Sequence, residues 1–158
     1  MPRKTIAEFK VEFLQVLDEQ GKVDRKLEPD LPPDRLLELY RGMVRARELD
    51  ERMLKLQRQG RLGTFPPCTG HEAISIPAAM QMRDGDWFVG AFRELGGRLV
   101  RGEPLTSTLH YYNGWEEGNI QPRDDMRIIP TSVVIGCQIP QAAGIAYAVV
   151  EADAGWPV

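Results

Sequence analysis

From Asp34 to Gln59 the side chains of Leu36, Leu39, Tyr40, Met43, Ala46, Leu49, Met53 and Leu56 recur at spacings of three and four. That period lays one apolar stripe along a helix of about seven turns, and it does not fit the alternation of a strand. Asp34 stands where an N-cap oxygen would satisfy the first unpaired N–H groups, and Gly60 supplies the stop. The intervening Arg35, Glu38, Arg41, Arg45, Glu48, Glu51, Arg52 and Lys55 read as a solvated face laced with ion pairs. A helix of this kind is held mainly by burial of its stripe, so later elements have to pack on it.

Residues 1–33 read as an extended N-terminal arm. An amphipathic piece (Phe9, Phe13, Leu14, Leu17) is followed by a turn at Asp18-Glu19-Gln20-Gly21 and a proline-rich exit, Pro29-Asp30-Leu31-Pro32-Pro33. Beyond Gly70, Glu72 to Met82 predicts a second helix rich in small residues, with Pro77 near its first turn or at a kink. Asp84-Gly85-Asp86 turns into Trp87-Phe88-Val89, a short apolar run expected to be a buried strand, and Pro104 to Tyr112 is expected to be a helix. Ser132-Val133-Val134-Ile135 reads as another strand, and Pro140 to Ala148 as a helix made for close contact. Strands separated by helices predict an α/β fold over residues 34–158, a parallel sheet flanked by helices. Residues 113–130, rich in Asn, Gly, Asp and Pro, form a long irregular segment of the functional or mobile kind.

The 20 Lys and Arg against 23 Asp and Glu give a net charge of −3 without basic blocks, which argues against a nucleic-acid partner. Glu8, Lys10 and Glu12 interrupt any apolar segment behind the N-terminus, and no apolar run approaches the ~18–20 residues of a membrane span. The expectation is a cytoplasmic protein without a membrane partner. Cys68 and Cys137 lack metal-ligand spacing and read as reduced core or wall residues rather than a disulfide.

Three stretches carry the candidate chemistry: Gln59-Gly60-Arg61-Leu62-Gly63, Thr69-Gly70-His71-Glu72-Ala73, and Phe92-Arg93-Glu94. Two glycine-bearing turns and an arginine look like an anion-binding face built from helix starts and one guanidinium. Arg93 suits a diphosphate, since its fork offers two charge-assisted bonds at a fixed angle, and it suits an ordinary surface position equally well. Phe65 fits either the core or a pocket wall. Glu72 opens a helix, where an acid stabilises the positive end of the dipole, and His110 reads as a partly buried structural residue.

In order and spacing these stretches resemble the R-Q-G-R-x-G, G-Q-E-A and Y-R-D signatures in the α subunit of the thiamine diphosphate-dependent 2-oxo acid dehydrogenases. Ile135-Gly136-Cys137-Gln138-Ile139-Pro140 resembles the family's I-x-G-A-Q-x-P element. The resemblance implies a thiamine diphosphate-binding fold, incomplete in this chain. It implies that Arg93 holds the cofactor's diphosphate, that Phe65 and Phe92 line the pocket, and that backbone groups of Val133 and Ile135 bond the aminopyrimidine ring. It further implies a heterotetramer with a β subunit, which brings the activating glutamate, and acyl transfer to the lipoyl group of an acyltransferase component. The implied reaction is oxidative decarboxylation of pyruvate, a small 2-oxo acid, with branched-chain 2-oxo acid or acetoin dehydrogenases as the nearest alternatives.

This chain departs from the family at several places. Phe92 replaces a tyrosine, His71 a glutamine, and Glu117 the histidine of an H-G-N element, which leaves no residue assigned to acid-base chemistry. The family holds its Mg²⁺ with G-D-G and a later asparagine, whereas Asp84-Gly85-Asp86 inverts that pattern. The resemblance covers nearly all of this chain and only the first part of the family's subunit. The expectation is therefore metal ligands outside this chain, in a longer or second polypeptide, and little activity in the isolated chain. The reading from a different class is a non-catalytic fragment or assembly module.

Overall fold

The computed structural model describes residues 3–120 and 125–153. The chain divides into two compact units, Met1–Pro33 and Asp34–Val158. In the first, the Asp18 carboxylate accepts the N–H of Gln20 at 3.0 Å and of Lys22 at 2.7 Å, and a single antiparallel bridge joins Leu17 to Val23. The apolar residues of the expected amphipathic piece, Phe9, Phe13 and Leu14 among them, are exposed and form no helix.

The second unit is helical among its described residues: α1 (Pro33–Arg58), α2 (Glu72–Gln81), α3 (Leu95–Val100), α4 (Leu105–Tyr112), a 3-10 turn (Glu116–Asn119) and α5 (Gln138–Asp153). Gly60, with φ of +69°, ends α1 where expected: its own N–H reaches the Gln57 carbonyl, and the Arg61 N–H reaches that of Leu56. The stripe on α1 is buried only toward its second half, at Ala46 and Met53, while Leu36 and Tyr40 stay exposed. Met53 packs with Leu62, Phe65, Cys68 and Leu95, and Leu49, Leu109 and Tyr112 close that cluster from outside. Burial of side chains of this size contributes ~1.5–3 kcal/mol each.

Pro77 lies inside α2 rather than in its first turn, and the helix tolerates it. The short α3 has no counterpart in the sequence reading, because Gly96-Gly97 masks its propensity. Those glycines let α3 press on α2, since a Cβ at Gly96 would stand 2.8 Å from Ile76.

The expected parallel sheet is not formed among the described residues. Of Trp87-Phe88-Val89 only Phe88 pairs, in an isolated parallel bridge to Ile128. Val133, Val134 and Ile135 are 65%, 69% and 87% exposed and lead through a turn into α5. β-branched residues favour a strand only where a neighbouring backbone supplies ladder partners, and none runs beside this segment among the described residues. The irregular segment 113–130 contains the 3-10 turn, and its residues 121–124, Pro122 and Asp124 included, lie outside the described residues.

Candidate functional site

The loop between α1 and α2 is gripped by two carboxylates. Asp50, buried on α1, accepts the N–H of Cys68 at 2.8 Å, the N–H of Thr69 at 3.1 Å and the hydroxyl of Thr69 at 2.5 Å. Three donors satisfy a charge that would otherwise be costly in the core. Glu72 accepts Arg47 Nε at 2.6 Å on one oxygen and the Gly70 N–H at 2.8 Å on the other. The Arg47 guanidinium holds the Glu72 carboxyl below the usual carboxylate range, burial opposing it and the Gly70 amide assisting. Glu72 thus ties the loop to both helices in addition to any effect on the α2 dipole.

The loop meets the end of α4 through its glycine turn. The Gly63 N–H donates to the Tyr112 carbonyl at 2.9 Å, and the Phe65 and Tyr112 rings meet edge to face at 5.9 Å. Tyr111 stands edge-on to Tyr112 at 5.2 Å, and the Tyr112 hydroxyl donates to the Phe92 carbonyl at 3.4 Å. Burial raises the Tyr112 phenol above its ordinary value, so it stays a neutral donor through the physiological range. Between these walls opens a cleft of about 650 Å³, lined by Gly63, Thr64, Phe65, Pro66, Phe92, Tyr111, Tyr112, Asn113, Gly114, Glu116 and Val133.

Three of the five sequence-chosen cofactor residues, Phe65, Phe92 and Val133, line this cleft. Phe65 is also a core residue, 5% exposed, so both readings of it hold at once. Arg93 and Ile135 are not among the lining residues. An Arg93 N–H donates to the Pro67 carbonyl, and the guanidinium lies 5.7 Å over the Phe92 ring centre. His110 is exposed on α4 rather than partly buried, and Glu117 is exposed in the 3-10 turn. Burial pushes the Cys68 thiol up to about 11, so at neutral pH it is a small core group and not a nucleophile.

The sequence reading missed Tyr111 and Tyr112, which make up most of one wall. Their signal was present as an aromatic pair ahead of the Asn113-Gly114 turn. The cleft offers flat aromatic faces, backbone groups and one carboxylate, Glu116, a set suited to a planar ring with a few polar atoms. Among the described residues no group of three or more His, Cys, Asp or Glu is arranged to hold a metal ion. No helix among them is long and apolar enough to cross a membrane.

Residues 40–154 match the family model of the dehydrogenase E1 component. The chain is 42% identical over 132 residues to the pyruvate dehydrogenase E1 component subunit alpha of Acholeplasma laidlawii, covering 83% of this chain and 38% of that relative. It is 36% identical over 140 residues to the subunit of the same name in Staphylococcus aureus strain Mu50, covering 88% of this chain and 38% of the relative. For Staphylococcus epidermidis the identity is 35% over 139 residues, covering 87% and 37%. The chain thus spans less than two-fifths of the length of the curated relatives it matches.

Proposed function

Because the chain belongs to the dehydrogenase E1 component family, we propose that it forms the N-terminal part of the α subunit of a pyruvate dehydrogenase-type decarboxylase. The observation that carries this reading to a site is the single cleft lined by Phe65, Phe92 and Val133. Thiamine diphosphate, when bound, supplies the electron sink for loss of carbon dioxide from a 2-oxo acid. The aromatic walls fit its ring portion. Phe65, Phe92 and Tyr112 give the cleft apolar walls, and the backbone of Val133, with that of Ile135 nearby in sequence, offers polar groups to the pyrimidine. Arg93, anchored by one of its five N–H donors, keeps the others for the diphosphate beside Phe92.

The same proposal includes a β subunit completing a heterotetramer, a lipoyl acyltransferase component receiving the acyl group, and a cytoplasmic setting. Residues 1–33 serve as an arm, and the parallel sheet of the α/β fold is completed when Ser132–Ile135 gains strands from the rest of the subunit. The test is acyl transfer to a lipoyl group by the assembled α/β enzyme with thiamine diphosphate, Mg²⁺ and, in turn, pyruvate, a branched-chain 2-oxo acid or acetoin. Pyruvate is expected to be preferred, and Phe65→Ala or Phe92→Ala is expected to raise the cofactor concentration required. Activity indifferent to both substitutions overturns the assignment of the cleft.

A further inference from the structure

Behind the cleft lies a polar cluster that the proposed chemistry does not use. Arg98 on α3 and Glu103 pair at 2.6 Å with side chains 5% and 6% exposed. The Thr108 hydroxyl donates to the second Glu103 oxygen at 3.2 Å, and a second Arg98 nitrogen donates to the Ile129 carbonyl at 3.0 Å. Two residues further along the same segment, Asn119 clasps Thr131: its amide nitrogen donates to the Thr131 carbonyl at 2.9 Å, and its oxygen accepts the Thr131 N–H at 2.6 Å. The opposite edge of the segment is held by Phe88, whose N–H donates to Arg127 at 2.7 Å and whose carbonyl accepts from Ile129 at 3.1 Å. The next cleft residue is Val133.

A buried ion pair is a poor source of net stability, because removing two charges from water offsets most of their attraction. Its value lies in direction: a planar guanidinium held by a buried carboxylate aims its remaining N–H groups at fixed points. We infer that Arg98, oriented by Glu103, is a positioning residue that together with Asn119 fixes residues 128–131, and through them Val133, against the Tyr111–Tyr112 wall. The inference rests on the cleft being the cofactor pocket.

The test separates positioning from bulk stability. In Arg98→Met/Glu103→Leu both charges are replaced by apolar groups of similar length, so the fold is expected to be retained while the Ile129 anchor and the acceptor of the Thr108 hydroxyl are lost. Arg98→Lys keeps the charge and loses the fork. Hydrogen exchange on the full chain is expected to show the hydrogen-bonded amides of Ile129 and Thr131 opening at least about tenfold faster in both variants, the factor carried by a hydrogen bond from a charged donor, with α1 and α2 unchanged. In the assembled α/β enzyme both variants are expected to raise the half-saturating thiamine diphosphate concentration by about tenfold, with turnover at saturation near wild type. Unchanged exchange at Ile129 and Thr131 overturns the positioning role. Faster exchange with unaltered cofactor saturation upholds the anchor and instead overturns the cleft as the cofactor pocket.

Discussion

The backbone N–H of Gly63 and the carbonyl of Tyr112 meet at 2.9 Å, and a Cβ at Gly63 would stand 2.4 Å from that oxygen. One wall of the cleft is therefore joined to the other main chain to main chain, with no room for a side chain between them. Gly63→Ala is predicted to cost ~1–3 kcal/mol, the range for forcing atoms into a packed site. Urea denaturation measures it, and an unmoved midpoint at unchanged slope would show that the two walls separate freely.

Glu72 sets an acid limit on the loop. Arg47 lowers its folded-state pKa, so its contribution is present above the unfolded value of about 4.3 and is lost as pH falls through the lower folded value. Wild type and Glu72→Gln are predicted to differ most in urea midpoint between pH 5 and 7 (about the plateau of that contribution), and to converge on further acidification. A difference that grows with acid contradicts the ion-paired state.

Cys68 sets an alkaline limit. Its thiol is raised to about 11 by burial, so the folded state favours the protonated form. That contribution is whole below the unfolded pKa and disappears as pH rises toward the folded one. At pH near 8, where a free thiol is partly ionised (about 8.5), a thiol reagent is predicted to label Cys137, which is partly exposed, and to reach buried Cys68 only on unfolding. Labelling of both in Cys137-intact native protein at equal rates refutes this.

For Arg93 the prediction concerns affinity rather than rate. Arg93→Ala in the assembled enzyme is expected to weaken cofactor binding by about one to two decades, from the ~1.5–3 kcal/mol of a charged hydrogen bond, and to leave turnover at saturating cofactor little changed. Cofactor-titrated decarboxylation measures both. Unchanged affinity marks Arg93 as an anchor for Pro67 alone.

The helices were legible where local periodicity decides them: α1 ends at Gly60 as its pattern indicates, and α2 begins at Glu72. What local pattern could not show was partnership. Val133 to Ile135 has the composition of a strand, yet a strand exists only beside another, and that neighbour is not a property of the segment itself. Asp50 escaped notice because it sits in a helix crowded with charges, and only its three loop donors distinguish it from its solvated neighbours. The cleft residues Phe65, Phe92 and Val133 could be chosen from motif order, whereas Tyr111 and Tyr112 reach the cleft through the fold of α4 against the glycine turn.

The clasp of Asp50 on Cys68 and Thr69 also predicts an order of assembly. Its donors lie 18 and 19 residues away in the chain, so they find their acceptor only after the middle of α1 has wound. Helix formation takes under about a microsecond, and the loop must then close upon it. The aromatic wall, which rests on that loop, is predicted to form after it and to open before it. Asp50→Asn should accordingly quicken unfolding while leaving the folding limb of the chevron nearly untouched, and a slowed folding limb would place the clasp in the nucleus instead.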